Sequence, residues 1–405
     1  MKKEGYKETS IGVIPDDWEV LKIGDILKIG SGKDYKHLSE GNIPVYGTGG
    51  YMTAVSDYLY DGESVGIGRK GTIDKPVFLK GKFWTVDTLF YTHSFTEVLP
   101  YYVYLLFQTI DWKKYNEATG VPSLSKVIIE SIKIPKPKLP EQQKIAKILS
   151  TVDAKLENIT QQIQTTEQLK KGLMQQLLSG KYNVLENRPY TNEELKDSSL
   201  GKIPKEWEVV KSNEAFELIH GYQFREHDFV DEGCPIVKIG QINMKGKLDL
   251  TNCSFFSLNR SQEFTDKEIK NGDILMALTG ATLGKSCLVE GLLYPVYQNY
   301  RVGRFEPKNK EGLDKKFLFY LISSPLILKQ IFAKINSGAQ GNIGKNDFEK
   351  LKILLPNIRE QQKIVTILRT VDTKIEQLQT KKAHYTQLKK GLMQQLLTGK
   401  IRVKV

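Results

Sequence analysis

The chain has 405 residues, 26% of them charged and 40% hydrophobic, with a formal net charge of +12. This length allows two or three domains, and the composition is that expected of a soluble globular protein. We expect no signal peptide and no transmembrane helix, because no apolar run is long enough. The three widely spaced cysteines argue against a disulfide framework or a zinc site and fit a cytoplasmic location. The basic balance favours a polyanionic partner, most simply nucleic acid.

The first element is an opening motif, IGVIPDDWEV at 11–20, which recurs as LGKIPKEWEV at 200–209. Trp18 and Trp207 are predicted to anchor the start of a domain in its core rather than to stack on bases. Residues 1–139 are predicted to form the first domain, from short strands separated by glycine-containing turns and a helix near 99–112.

A long amphipathic helix is predicted at 140–181. Its apolar residues alternate in steps of three and four from Ile145 to Ile163, which is the pattern of a coiled-coil seam. Residues 141–181 match 360–400 without a gap, and 25 of the 41 positions are identical. The same helix therefore occurs twice. A helix of about 58 Å with one apolar stripe needs a partner, and the other copy is the obvious one.

Each copy contains two informative glycines. Gly180 and Gly399, each followed by a lysine, are predicted to cap the C-terminus of the helix. Gly172 and Gly391 lie inside the helical pattern, where glycine costs about 1 kcal/mol relative to alanine. We expect them to mark close backbone packing, against each other or against another subunit; the alternative is a harmless interior glycine.

The second half repeats this plan. Residues 182–197 are polar and are predicted to be a linker. A second domain at 198–355, with a helix near 315–332 and a glycine-rich loop at 337–345, precedes the second long helix at 356–400. The offset between the repeats grows from 189 residues at the opening motif to 219 residues at the helices. Divergent domains on a copied frame favour two recognition modules with different specificities.

No catalytic motif is convincing. The segment TGATLGKS at 279–286 is similar to a phosphate-binding loop but has one residue too few between its glycines, so we predict a turn joining two strands. Glu268 and Lys270 have a nuclease-like spacing that arises by chance in a lysine-rich chain. Two alternatives to a DNA-recognition protein remain open, namely a stand-alone nuclease or methyltransferase and a coiled-coil scaffold without DNA affinity.

The duplicated helix, which starts with Glu-Gln-Gln-Lys-Ile and ends with Leu-Lys-Lys-Gly-Leu-Met-Gln-Gln-Leu-Leu-(Ser/Thr)-Gly-Lys, alternates with two domains that open on Ile-Pro-x-x-Trp. This arrangement resembles the specificity subunit of type I restriction-modification enzymes over the whole chain. The resemblance implies an α+β fold with a pseudo-two-fold internal repeat, in which two mixed α/β target recognition domains are separated by two long antiparallel coiled-coil helices.

The resemblance also implies function. Each domain would read one half of a bipartite site on double-stranded DNA, and the helices would set the spacing and bind two modification (adenine methyltransferase) subunits. Restriction subunits would join the complex. No catalytic residue, metal or cofactor is implied in this chain; S-adenosylmethionine, ATP and Mg²⁺ would be used by the partner subunits.

Candidate contacts follow from residue chemistry. Lysine and arginine bind phosphates and guanine, whereas asparagine and glutamine suit adenine edges. The predicted DNA-binding residues are Lys33, Tyr35, Lys36, Arg69, Lys70, Tyr222, Arg225, Lys238, Gln241, Asn243, Lys245, Gln298, Asn299, Arg301, Asn342 and Lys345. The predicted subunit-binding residues are Leu169, Gly172, Leu173, Gln176, Leu388, Gly391, Leu392 and Gln395. For most single positions a solvated surface residue is the alternative.

Overall fold

The structure is a computed structural model that describes residues 4–243, 246–335 and 343–404. The chain divides into two compact units, one formed by Met1–Gln162 with Leu378–Val405 and the other by Ile163–Gln377. Each unit therefore holds one globular domain, the beginning of one long helix and the end of the other. The combination of helices with largely antiparallel sheets confirms the predicted α+β class.

The first unit contains short strands and helices before its long helix. The strands are β1 Tyr6–Thr9, β2 Gly12–Pro15, β3 Glu19–Lys22, β4 Lys28–Ser31, β5 Glu40–Gly47, β6 Gly50–Val55, β7 Tyr60–Asp61, β8 Ser64–Gly68, β9 Val77–Leu79, β10 Lys82–Thr85, β11 Leu89–His93 and β12 Lys133–Lys136. The helices are α1 Ile23–Ile26, α2 Pro100–Phe107, α3 Lys126–Ser131 and the long α4 Leu139–Leu177.

Two four-stranded sheets form the domain of the first unit. One has the order β4-β11-β8-β9 and is antiparallel throughout. The other has the order β6-β5-β10-β7, with β5 and β10 parallel. Strand β8 is buried along its whole length, as expected for a strand inside a sheet that is covered on both faces.

The second unit repeats this arrangement. Its strands are β13 Tyr182–Asn183, β14 Arg188–Pro189, β15 Leu195–Ser198, β16 Gly201–Pro204, β17 Glu208–Lys211, β18 Phe216–His220, β19 Phe229–Val230, β20 Cys234–Val237, β21 Ser254–Phe256, β22 Glu268–Ile269, β23 Ile274–Ala277, β24 Ser286–Leu288, β25 Val296–Gln298, β26 Val302–Pro307 and β27 Lys352–Leu355. Its helices are α5 Ser212–Ala215, α6 Lys315–Ile322, α7 Pro325–Ile335 and α8 Lys345–Glu349, followed by the long α9 Ile358–Leu396.

The sheets of the second unit correspond to those of the first. The order β18-β26-β23-β24 matches β4-β11-β8-β9, and β20 runs parallel to β25 as β5 does to β10. The second sheet has the additional strand β19. Most of the extra residues of this domain lie between β18 and β23, because the offset between equivalent strands is 189 residues at β3 and β17 but 210 residues at β8 and β23.

The two long helices run antiparallel within each unit. In the first unit Glu141 and Asp153 contact Arg402 and Lys389 respectively, so the numbers rise along α4 while they fall along the other segment. The predicted stripe is buried at Ile145 and Leu149. Ile145 and Leu149 do more than pair the two helices, however. They also belong to the core of the globular domain, as do Met393, Leu396 and Leu397.

The end of each long helix packs on an opening motif. Gly180 has φ +70°, and the N–H of Lys181 donates to the carbonyl of Gln176 at 3.1 Å, which is the predicted C-terminal cap. A Cβ atom on Gly180 would lie 2.3 Å from Pro204 Cδ. Gly399 faces Pro15 in the same way, at 2.4 Å. Gly180 and Gly399 are therefore suited to their positions in two ways: they adopt the left-handed backbone conformation, and they leave room for the neighbouring proline ring.

Both tryptophans of the opening motifs are fully buried, as predicted. Trp18 Nε1 donates to Glu141 Oε2 at 2.9 Å and Trp207 Nε1 donates to Glu360 Oε2 at 3.0 Å. Each glutamate opens the Glu-Gln-Gln sequence of a long helix. The first residues of a domain and the first turn of the helix that follows it are thereby joined.

Three expectations need correction. Residues 182–197 are not a simple linker: β13 pairs with β14, β15 pairs with β16, and Val184 is buried in the core. The helix expected at 315–332 is broken between α6 and α7, because Pro325 starts a new helix. The helix expected at 99–112 ends at Phe107. In contrast, 279–286 is the predicted turn, since it connects the antiparallel strands β23 and β24.

Among the described residues no single helix has the length and apolarity needed to span a membrane; Lys315–Ile322 and Pro325–Lys334 meet that criterion only as a bent pair. Cys234, Cys253 and Cys287 are free thiols.

Candidate nucleic-acid interface

A cleft of about 850 Å³ lies in the domain of the first unit. Its walls come from the turn after β8, the start of β11 and the segment leading into α3. Arg69, Lys70 and Lys126 bring three cations to it, and Phe90 and Val121 supply apolar surface. Two acidic residues, Asp87 and Glu117, also line the cleft.

Backbone contacts position Arg69 and Lys70, and Arg69 Nη1 also donates to the carbonyl of Asp87 at 3.4 Å. The carbonyl of Arg69 accepts from the N–H of Leu124 at 2.9 Å, and Lys70 forms a β-bridge with Ser123. Arg69 and Lys126 lie 6.0 and 5.9 Å from the centre of the Phe90 ring. Within the described parts of the chain, none of the three cations forms an ion pair with a carboxylate. Such groups can bind phosphates or base edges without first breaking an internal pair.

The structure thus brings two predicted residues, Arg69 and Lys70, together with Lys126, which the sequence reasoning missed. A signal for Lys126 was present. It is the counterpart of Lys345 at the constant offset of 219 residues, and Lys345 was already a candidate. Lys345 is exposed and pairs with Glu217 at 3.2 Å.

The other candidates of the first domain lie on the loop after β4. Lys33 and Lys36 are exposed, but they do not line the cleft. The backbone of Lys33 is fixed because its carbonyl accepts from Trp84 Nε1 at 2.8 Å. Tyr35 is half-buried and packs on the small core around Val45, so it is partly a core residue.

In the second domain the aromatic and cationic candidates remain accessible. Tyr222 is 37% exposed and packs edge-on against Phe224. Arg225 is exposed, and so is Arg301, whose guanidinium lies 5.2 Å from the centre of the Tyr300 ring.

Lys238 differs from these residues because it is half-buried. Its Nζ donates to Ser254 Oγ at 2.7 Å and lies 4.0 Å from the centre of the Phe229 ring. Burial lowers the pKa of the Lys238 ammonium. The side chain is therefore largely engaged within the domain.

The amide side chains predicted to read adenine mostly brace the backbone instead. Gln298 is fully buried, and its Nε2 donates to the carbonyls of Ile219 and Val302 at 2.8 and 2.7 Å. Asn299 is 5% exposed, and its Oδ1 accepts from the N–H of Arg301. Neither residue can reach a base while the domain stays folded, so both leave the candidate set.

Gln241 and Asn243 have similar bracing roles. Gln241 bonds to the backbone of Lys238 and Asn252, and Asn243 Oδ1 accepts from the N–H of Lys247. Polar side chains in loops often replace backbone partners in this way, which residue type alone does not reveal. Lys245 and Asn342 lie outside the described residues.

The predicted subunit-binding residues lie near the end of each long helix, and four of the eight are exposed. Leu169 and Leu388 are 54% and 49% exposed. Gln176 and Gly172 are exposed, whereas Gly391 and Gln395 are half-buried. Leu173 and Leu392 are half-buried against the domain cores.

A Cβ atom on Gly172 or Gly391 would meet nothing within 4 Å. Neither glycine is therefore closely packed within its own unit, and their packing on each other stays a prediction. Their contact with another subunit stays a prediction. Among the described residues, no group of three or more histidines, cysteines or carboxylates is placed to hold a metal ion.

The sequence profile of the family described as type I restriction modification DNA specificity domain matches residues 15–168 and 204–385. The chain is similar to the specificity subunit of the type I restriction enzyme MjaVIII of Methanocaldococcus jannaschii, with 32% identity covering 100% of this chain and 97% of the relative. It is 29% identical to the putative MjaX specificity subunit of that organism, with coverage of 100% and 98%.

Among solved structures, the chain is similar to the type I restriction-modification S subunit from M. genitalium. The TM-score is 0.62 at 16% sequence identity, over 94% of this chain and 96% of that one. At this identity the likeness shows the fold, and it agrees with the repeated domain-and-helix plan described above. The family match over both repeats and the full-length relatives decide the assignment. The chain belongs to the family of type I restriction-modification DNA specificity subunits.

Proposed function

We propose that each globular domain reads one half of a bipartite site on double-stranded DNA, with the first domain using the cleft of Arg69, Lys70 and Lys126. The family gives the chain a role in DNA sequence specificity that is not itself catalytic. The observation that supports the finer proposal is the repeated plan of two domains, one of which presents three cations in a single cleft, none of them ion-paired with a carboxylate among the described residues.

The three cations would have different tasks. Lys126 begins α3, and its counterpart Lys345 begins α8. A lysine at the same fold position in both domains suits a phosphate contact, which is independent of sequence. Arg69 and Lys70 follow β8, whereas the residues that follow β23 at the same offset from their strand are Thr279 and Gly280. Residues that differ between the domains suit the reading of different bases.

The test is DNA binding by the complete complex with modification subunits, measured over a range of salt concentrations. Lys126→Ala should weaken binding to all sequences alike and reduce the slope of log K against log salt by about 1. Arg69→Ala should relax the preference at one base position and cost about 1–3 kcal/mol for the preferred base. Lys80→Ala is the control, because Lys80 is exposed in the same domain outside the cleft. Equal effects of all three substitutions would reject this cleft as the DNA contact.

The long helices would act as the spacer between the half-sites and as the docking face for two modification subunits. Support comes from the near-identity of the helix ends, since two identical subunits require two identical surfaces. The exposed Leu169 and Leu388 are equivalent members of that face. Restriction subunits would join this complex in the cytoplasm.

Catalysis would belong to those partners. Modification subunits would use S-adenosylmethionine, restriction subunits would use ATP and Mg²⁺, and this chain would bind none of these cofactors. The experiment is an assay of the purified chain with each cofactor and the specific DNA. Methylation or cleavage by the chain alone would overturn this division of labour.

A further inference from the structure

Each unit contains a cluster of one lysine, one aspartate and one tyrosine that joins both long helices to the globular domain. In the first unit Asp153 of α4 accepts from Lys389 Nζ of α9 and from Tyr101 Oη of α2, each at 2.7 Å. In the second unit the two long helices exchange roles. Asp372 of α9 accepts from Lys170 Nζ of α4 and from Tyr320 Oη of α6, each at 2.6 Å.

The clusters are partly shielded from water. The side chains of Lys389 and Asp153 are 15% and 28% exposed, and those of Lys170 and Asp372 are 28% and 31% exposed. Burial and the bond to the aspartate raise the pKa of both tyrosines, so their hydroxyls remain protonated donors. Each aspartate thus ties a residue of the other long helix and a residue of the domain to the same carboxylate.

Each lysine also contacts the domain directly. Lys389 Nζ donates to Gln108 Oε1, just beyond α2, at 3.1 Å. Lys170 Nζ lies 5.7 Å from the centre of the Tyr320 ring. Three elements therefore meet at each cluster, and none of the three can tilt without lengthening at least one of these contacts.

The two tyrosines do not occupy equivalent positions. In both units a glutamine side chain of the long helix accepts a hydrogen bond from the backbone at the start of the domain helix. Gln142 Oε1 accepts from the N–H of Leu99, and Gln361 Oε1 accepts from the N–H of Asp314. Tyr101 is the second residue after Leu99, whereas Tyr320 is the sixth residue after Asp314.

The tyrosines therefore approach from neighbouring turns of equivalent helices, while the aspartate and lysine are identical in both repeats. If both clusters had kept one ancestral contact unchanged, the two tyrosines would occupy equivalent positions in their helices. Each aspartate–lysine pair, which we call the socket, accepts a tyrosine hydroxyl from either turn of the domain helix. It does so even though the two domains have little sequence in common.

We infer that the pairs Asp153–Lys389 and Asp372–Lys170 are positioning residues, which set the orientation of each recognition domain on its helices and thereby the gap allowed between the DNA half-sites. The inference rests on the proposed reading of a bipartite site. It assigns no base contact to the clusters, so the half-site sequences are independent of them.

The test uses Tyr101→Phe and Tyr320→Phe, singly and together, because each change removes one hydroxyl and keeps the ring. Asp153→Asn is a second variant that removes the charge at constant size. The matched control is Tyr104→Phe, since Tyr104 lies one turn along α2, packs on Phe78, and has no hydrogen-bond partner for its hydroxyl among the described residues.

The complex with modification subunits is assayed on DNA libraries in which the gap differs from the preferred one by a single base pair. We expect Tyr101→Phe, Tyr320→Phe and Asp153→Asn each to reduce discrimination against the wrong gap about fivefold, as for one lost hydrogen bond. The half-site sequences should stay unchanged. Amide hydrogen exchange of 100–107 in the same complex should become faster in Tyr101→Phe. Tyr104→Phe should match the wild type in both measurements.

Two results would overturn the inference. The first is an unchanged gap preference in variants whose domain helix exchanges faster. The second is unchanged hydrogen exchange, which would mean that the socket does not hold the domain. A wild-type complex without any gap preference would instead reject the proposed bipartite reading, and this outcome is recognisable before any variant is tested.

Discussion

Two glycines eight residues apart in the same helix end should respond to alanine with opposite signs. Gly180 has φ +70°, and a Cβ atom there would lie 2.3 Å from Pro204 Cδ and 3.4 Å from the ring of Trp207. Gly172 is helical, and its Cβ would meet nothing within 4 Å. The pair therefore separates a structural glycine from one that the isolated chain does not need.

The magnitudes follow from these environments. A left-handed alanine at Gly180 costs about 1 kcal/mol, and displacing the proline ring costs about 1–3 kcal/mol more. We expect a total destabilisation of about 2–4 kcal/mol, which lowers the Tm of a unit of this size by roughly 4–16 °C. Gly172→Ala should instead stabilise the chain by about 0.5–1 kcal/mol, because alanine has the higher helix propensity.

The assay is thermal unfolding of the full chain followed by circular dichroism, with Gly399→Ala and Gly391→Ala as the same comparison in the other repeat. An unchanged Tm in Gly180→Ala would refute the reasoning. So would a decrease in the Tm of Gly172→Ala as large as that of Gly180→Ala. Mixing Gly172→Ala with modification subunits adds a second result. If the exposed surface around Gly172 is where the modification subunits dock, this variant binds them more weakly although it is the more stable chain.

Three further predictions concern the spacer, acid stability and Gln298. Inserting about one helical turn into both long helices, at 157–167 and 376–386, should change the tolerated gap in a methylome and leave the half-sites unchanged; altered half-sites would reject the spacer role. The hydrogen bonds from Arg402 lower the pKa of Asp17 below 3.8, so this carboxylate stabilises the fold above that pH and the contribution is lost as the pH falls through the lowered value. The difference in urea midpoint between wild type and Arg402→Ala should therefore shrink from pH 5 to pH 2, and a constant difference would contradict this linkage. Gln298→Ala should cost about 1–3 kcal/mol by removing two buried hydrogen bonds, while the binding-site sequence stays the same; a changed sequence preference at wild-type stability would restore Gln298 as a reading residue.

The sequence by itself determined the repeat and much of the local structure. A constant offset over 41 positions defines the copied helix, and the steps of three and four identify its buried stripe. Gly180 before a lysine was enough to predict the cap, and the short glycine spacing at 279–286 was enough to predict a turn. These features depend on neighbours in the chain, so periodicity and residue type carry them.

Only the tertiary structure decided which distant residues meet. Trp18 was predictable as an anchor, but its partner Glu141 was not, because the bond spans 123 residues. The polar segment at 182–197 folds because its few apolar side chains, such as Val184, find a core built by other elements. Gln298 has a side chain suited to reading a base, but it is fully buried and supports the backbone. That burial depends on the surrounding sheets and not on residue type.

The sockets show the same limit. Asp153 and Lys170 are visible in the sequence only as identities between the repeats, and the tyrosines that complete the sockets are out of register. An aspartate, a lysine and a tyrosine far apart in sequence form one site only after the domain helix has been seated on the long helices. Short-range order follows from the sequence pattern, whereas the convergence of three elements on one carboxylate is fixed by packing.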